Sequence, residues 1–137
     1  MTDTSLTAEQ QARYNSQGFL ILRGVFSPAE ARELQQEATR LFQRSDLMDS
    51  DNIRCRWSNH HETEECRFDC FDPVVDLSPL CEKIARDRRI IDAVSALYGE
   101  QAHLFKDKLI FKPAGAKGYG LHQDYISWKS FPRSFVT

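Results

Sequence analysis

In "GYGLHQDYISW" (118–128) a histidine and an aspartate stand two residues apart, as His122 and Asp124. In extended backbone, residues i and i+2 point the same way, about 6–7 Å apart along the chain. An imidazole nitrogen and a carboxylate oxygen so placed can close on one ion. That is two-thirds of the two-histidine, one-carboxylate face of non-haem iron(II) oxygenases, which leaves the remaining positions open for co-substrate and dioxygen. The same two residues also read as a surface histidine beside a solvated acid, because the pairing is common by composition.

The elements that must hold this pair follow from periodicity and caps. Thr7-Ala8-Glu9-Gln10 fits a capping box opening a helix that should end near Gln17-Gly18. "FLILRGV" (19–25) is a nearly continuous apolar run and predicts a buried strand. Ser27-Pro28-Ala29-Glu30 is a second box with proline at the first helical position. Behind it Ala31, Leu34, Ala38, Leu41 and Phe42 form one stripe for a core. From Ser45 to about Phe71 periodicity disappears, which predicts a long loop of the kind that is functional or mobile.

Ser78-Pro79 starts a further helical stretch, one kinked helix or two short ones, closed by Gly99. "AHLFKDKLIFKP" (102–113) then changes to period two. His103, Phe105, Asp107, Leu109 and Phe111 share one face of the expected strand, and Leu104, Lys106, Lys108, Ile110 and Lys112 the other. "AGAKGYG" connects this strand to the His-x-Asp pair, and "FVT" (135–137) reads as the start of another strand. The fold class expected is α+β, a single domain over 1–137.

A net charge of −2 supports neither nucleic acid nor an anionic membrane as partner. No apolar run has the length of a spanning helix, and the first residues lack a signal core, so the expectation is a cytoplasmic protein. Cys55, Cys66, Cys70 and Cys81 are then reduced by default. Their symmetric spacing around His60 and His61 leaves open a small zinc-binding module, although no close CxxC pair is present.

The setting of "LHQD", with "DKLIFKP" and a Gly/Lys loop before it and Tyr125 and Trp128 after it, resembles the phytanoyl-CoA dioxygenase family. "YNSQGFLILRGVFSPAEARELQQEA" is similar to that family's opening strand and helix, and "RIIDAVSALYG" to its helix before the core sheet. The resemblance runs from about Glu9 to Thr137, with "LHQD" its most specific part. It implies an iron(II)- and 2-oxoglutarate-dependent dioxygenase using O2 on a small-molecule substrate. The implied fold is N-terminal helices plus the first strands of a double-stranded β-helix, a jelly-roll or cupin-like core that is incomplete here.

The resemblance also implies roles for particular residues. His122 and Asp124 match the first two iron ligands, catalytic and metal-binding together. Gln123 points away from the metal and contacts through its backbone, Lys108 lines the 2-oxoglutarate pocket, and Arg67 in "CRFDCF" matches a basic residue near 2-oxoglutarate. Apart from the resemblance, Trp57, His60, His61, Tyr119, Tyr125 and Trp128 are candidates to surround the substrate, with aromatics that simply fill the core, Tyr125 and Trp128 above all, as the other reading. Asp124, where halogenating relatives carry a small residue, implies hydroxylation or a related oxidation.

The family's third ligand is a histidine downstream, followed by an arginine for 2-oxoglutarate, yet none of the four histidines here follows His122. The expectation is an N-terminal part of a larger dioxygenase, inactive alone and completed by a C-terminal segment or chain. A non-catalytic relic of the same fold is the alternative.

Overall fold

The computed structural model describes residues 6–116 and 118–124. Helix α1 (Ala8–Gln17) opens on the Thr7 capping box, and Gly18 ends it in the left-handed region at φ 79°. Helix α2 (Pro28–Phe42) opens on the Ser27 box with Pro28 in its first turn. Both boxes satisfy backbone N–H groups that a helix start leaves without partners. Leu41 is fully buried on α2, with Leu34 packed beside the same core. The second helical stretch resolves into two, α3 (Pro79–Ala85) and α4 (Arg88–Tyr98), because the Asp87 carboxylate accepts from Arg89 N–H and starts a new helix. Helix α1 packs on α4 and α2 on α3.

Among the described residues the sheet has three antiparallel strands in the order β1 (Cys55–Asn59), β2 (Cys66–Phe71), β3 (Leu109–Ile110). Cys55 faces Phe71 and Arg56 faces Cys70, but Trp57 faces Phe68, so Asp69 is an extra residue on β2. This bulge changes the parity of the strand. Phe68 and Phe71 therefore both reach the core, where Phe71 is fully buried and lies 4.7 Å from Phe68 between ring centroids. Phe111 joins them after its N–H donates to the Asp69 carbonyl at 2.7 Å. The opposite face of the sheet carries Arg56, Cys70 and Ile110, paired across the three strands.

Three sequence expectations are corrected. The segment expected to be a long loop, Ser45 to Phe71, contains the β1–β2 hairpin. Its polar outer face and its bulge hide the period-two pattern. "FLILRGV" forms no strand: Phe19 and Ile21 stay more than half exposed, at 54% and 64%. Apolar composition alone cannot make a strand, which needs a neighbour for its hydrogen bonds, and no described strand lies alongside. The strand expected over 102–113 shrinks to Leu109–Ile110, since only that part reaches β2.

The expected alternation survives only from Asp107 onward, whereas His103 and Phe105, expected on the inner face, are exposed and Leu104 is partly buried. Asp107, Leu109 and Phe111 are partly buried, while Lys108, Ile110 and Lys112 are exposed. Asp107 is turned inward by accepting from Val74 and Val75 N–H at 2.7 and 2.9 Å. Lys117, Tyr125, Trp128 and the "FVT" strand lie outside the described residues. No helix among the described residues is long and apolar enough to cross a membrane.

Candidate active site

The connector from β3 to the His-x-Asp pair is held by the tip of the β1–β2 hairpin. His61 donates to the Gly115 carbonyl from its backbone N–H and from Nδ1, both at 3.0 Å. Arg67 Nη1 donates to the Ala114 carbonyl at 3.0 Å, and its Nη2 to Glu65 at 2.7 Å. The His60 ring, stacked on His61 with centroids 5.0 Å apart, lies where a Cβ on Gly115 would stand. Gly115 also has φ 83°, so both its backbone and its neighbour require a residue without a side chain.

Beyond this clamp His122 Nδ1 lies 2.7 Å from the Gly120 carbonyl. A carbonyl only accepts, so Nδ1 carries the hydrogen and Nε2 presents its lone pair. Nε2 in turn lies 3.0 Å from Asp124 Oδ1. Two acceptors at that distance call for a cation between them, either a proton or a metal ion. Neighbouring ligands of a six-coordinate ion with bonds of about 2.1 Å are about 3.0 Å apart, so the donor set and its spacing fit one. A backbone carbonyl holding the far nitrogen is the usual way a ligating histidine is fixed. The His122 pKa is raised, first by the Gly120 bond and also by the Asp124 carboxylate, against burial and the Lys108 ammonium.

Lys108, whose charge acts on His122, lines a groove of about 290 Å³ with Arg56, Trp57, Asp69, Cys70 and Tyr119, among others; neither His122 nor Asp124 is among its lining residues. Trp57 leans edge-on against Phe68 at 5.3 Å between centroids, which ties this wall to the core. Lys112 Nζ stands 5.1 Å from the centre of the Tyr119 ring. The Tyr119 hydroxyl bonds Asp69, whose charge pushes its pKa up. On the groove floor burial raises the pKa of the Cys70 thiol, keeping it a thiol at neutral pH.

Residues 14–137 match the sequence profile of the family described as phytanoyl-CoA dioxygenase. The chain belongs to that family. It is 28% identical over 136 residues to the 2-aminoethylphosphonate dioxygenase of an uncultured bacterium, covering 94% of this chain and 48% of the relative. It is 28% identical over 128 residues to the ectoine dioxygenase of Sphingopyxis alaskensis, covering 92% and 40%. With the methylphosphonate hydroxylase of Gimesia maris it shares 27% over 137 residues, 98% and 50% of the two chains. The chain thus spans about half the length of the curated relatives it matches. No solved structure matches it.

Within this chain, three of the residues singled out from sequence lie near one another. His122 and Asp124 make the pair, and Lys108 lines the groove close enough to act on His122. Gln123 is exposed between the two. Arg67 is not among the groove's lining residues, and its guanidinium is spent on Glu65 and Ala114. Among the described residues no three His, Cys, Asp or Glu side chains gather around one point, so the zinc alternative finds no site there. Cys55, Cys70 and Cys81 are buried and Cys66 is exposed. Sequence reasoning missed Arg56 and Asp69 in the groove and the clamp role of His61. The only available signal was the pair of short runs "CRWSN" and "CRFDCF", whose aromatic content suits strands.

Proposed function

We propose that this chain supplies two of the three iron(II) ligands, His122 and Asp124, of a 2-oxoglutarate-dependent dioxygenase oxidising a small molecule. The observation that carries the proposal is the 3.0 Å approach of His122 Nε2 to Asp124 Oδ1 with Nδ1–H tied to Gly120. Membership of the family and relatives named for ectoine and phosphonate oxidation support the reaction class. In this reading the three-stranded sheet is the described part of a jelly-roll core, and 1–137 is the N-terminal portion of that domain.

Iron(II) bound there with 2-oxoglutarate would supply dioxygen activation coupled to decarboxylation of the co-substrate. The chain's own residues do the rest. Gly120 fixes the His122 tautomer, and the hairpin tip fixes the connector six to eight residues upstream of His122. Lys108 offers positive charge to a carboxylate beside the metal, Gln123 a backbone contact, and Trp57 and Tyr119 aromatic surface along the groove. Arg67 acts in this scheme through the Ala114 carbonyl, as a positioning residue.

A pair of ligands holds an ion weakly, because affinity depends on a complete and preorganised shell. A third donor, from a further segment or chain, is required for turnover in this reading. The test is metal binding by the 137-residue chain, followed by titration with manganese(II) as a stand-in for iron. Weak saturable binding, lost on His122→Ala and on Asp124→Ala, is expected. Binding that survives both changes, or an equal affinity for the two variants and the parent, would sink the proposal.

A further inference from the structure

The two stacked histidines at the tip of the β1–β2 hairpin use their ring nitrogens in opposite ways. His60 Nδ1 accepts from the Glu62 and Thr63 N–H groups at 3.1 and 3.2 Å. Both partners are donors, so Nδ1 is bare and the hydrogen of the neutral ring sits on Nε2. Nε2 is also the ring atom nearest to where a Cβ on Gly115 would stand. The backbone closes the same turn: His60 N–H donates to the Glu65 carbonyl at 2.9 Å, and Glu64 N–H donates to the His60 carbonyl at 3.1 Å. An isolated bridge between His60 and Ala116 then joins the turn to the connector.

His61 is arranged the other way. Its Nδ1 meets the Gly115 carbonyl at 3.0 Å and its Nε2 the Glu62 carboxylate at 3.3 Å, two acceptors that a doubly protonated ring satisfies. A proton arriving at the tip therefore has a place on His61 and none on His60 Nδ1. The charges around the tip nevertheless draw protons in. Glu62 faces His61, and Glu64 accepts from the Asn59 amide. Glu65, held first by Arg67, also feels charge on His60. From the connector, Pro113 to Ala116 bring no titratable side chain.

Between about pH 8 and 5 histidine is the side chain that changes charge, so once His61 is charged the next proton goes to His60. There it turns an acceptor into a donor aimed at two donors. It also sets two like charges 5.0 Å apart between ring centroids.

We propose that His60 is a proton-sensitive latch: the neutral ring closes the hairpin tip on Gly115 and Ala116, and its protonation releases the connector that leads to His122. The latch goes beyond the iron-site reading and rests on it only for the consequence, loss of the His-x-Asp geometry in acid. The open tip takes up a proton that the closed tip excludes. Closure is therefore stable on the basic side of the histidine range and is lost as pH falls through it.

Amide hydrogen exchange in the isotope-labelled 137-residue chain, read by NMR and corrected for its intrinsic pH dependence, tests this without metal. The reporter is the His61 N–H, which donates to the Gly115 carbonyl. In the parent its protection should fall about tenfold or more between about pH 8 and 5, as loss of two hydrogen bonds predicts. His60→Asn keeps a side-chain acceptor for the backbone N–H two residues on and does not titrate, so its protection should stay within about twofold across that range. His60→Ala should be unlatched even at the basic end.

A parent whose protection is flat across the range overturns the latch, as does an equal fall in His60→Asn. So does a hydrogen found on His60 Nδ1 at the basic end, a measurement on the parent that needs no variant to fold. Manganese(II) binding lost on His122→Ala beside a pH-insensitive tip would leave the iron reading standing and the latch overturned. A responsive tip in a chain that binds no manganese(II) would leave the latch standing and the iron reading overturned.

Discussion

Arg89 on α4 and Arg56 on β1 mark two corners of the molecule and show what becomes of a guanidinium in each. Arg89, at the start of α4, bonds Asp87 and Glu30, both at 2.7 Å, and the Val25 carbonyl at 2.9 Å. It also lies 4.4 Å from the centre of the Phe26 ring. Every donor direction is committed, and the result ties α2, α4 and the segment before α2 together. Arg56, on the outer face of the sheet, meets one carbonyl and no carboxylate among the described residues. The first corner is scaffold and the second is left with charge to offer. The same comparison separates the two carboxylate settings. Glu30 and Asp87 are held down to about 2 by Arg89, whereas Asp124 faces a histidine that a metal ion can bind in place of a proton.

Four substitutions or conditions press on this contrast. The largest effect should come from Phe71→Ala, which removes a fully buried ring on which the sheet's inner face depends. A loss of about 3–5 kcal/mol is expected, and both corners should fail together in a urea titration followed by circular dichroism. Retention of cooperative folding with little change in midpoint would show that the corners do not share this core.

Gly115→Ala should come next and act on the site alone. A left-handed backbone costs an alanine about 1–2 kcal/mol, and the new methyl would enter the His60 ring, so the hairpin tip must release the connector. Weaker manganese(II) binding with helical content unchanged is the expected outcome. Unchanged metal affinity would mean that the clamp does not position His122.

Arg89→Gln should do the converse, lowering the thermal midpoint while metal affinity stays put. The acid limb of the stability curve gives its signature. Glu30 and Asp87 have folded pKa values depressed from 4.5 and 3.8 to about 2. Depressed carboxylates contribute stability that is fully present above their unfolded values and is lost as pH falls toward the folded ones. The parent should therefore lose stability from about pH 4.5 down to about 2, and Arg89→Gln should flatten that window. An identical acid limb in both proteins would remove Arg89 as the cause.

The smallest structural effect is expected for Arg56→Gln. An exposed side chain without an ion-pair partner should leave stability within about 0.5 kcal/mol, measured in the same urea titration. A larger loss would make Arg56 part of the scaffold and erase the difference between the corners.

Much of the helical architecture was legible in the sequence because it is written locally. Thr7 with Gln10, Ser27 with Glu30, and Gly18 and Gly99 each act within one turn, and all four ends lie where their residue types place them. The inward face of 107, 109 and 111 was equally plain, since alternation survives even where strand pairing does not. The hairpin was not legible, because Asp69 breaks its period and half its face is polar.

Spacing thus singled out the His-x-Asp pair and gave the side on which Lys108 stands. The pair itself lies in none of the described strands, and its 3.0 Å approach comes from the local fold of 120–124. What only the tertiary structure decided is which charges remain unanswered. Arg67 was drawn from the expected co-substrate site to the Ala114 carbonyl, and Arg56 came into the groove from a segment with no visible pattern. Both outcomes depend on strands far apart in sequence, and a charge is answered or left over only once those strands have met.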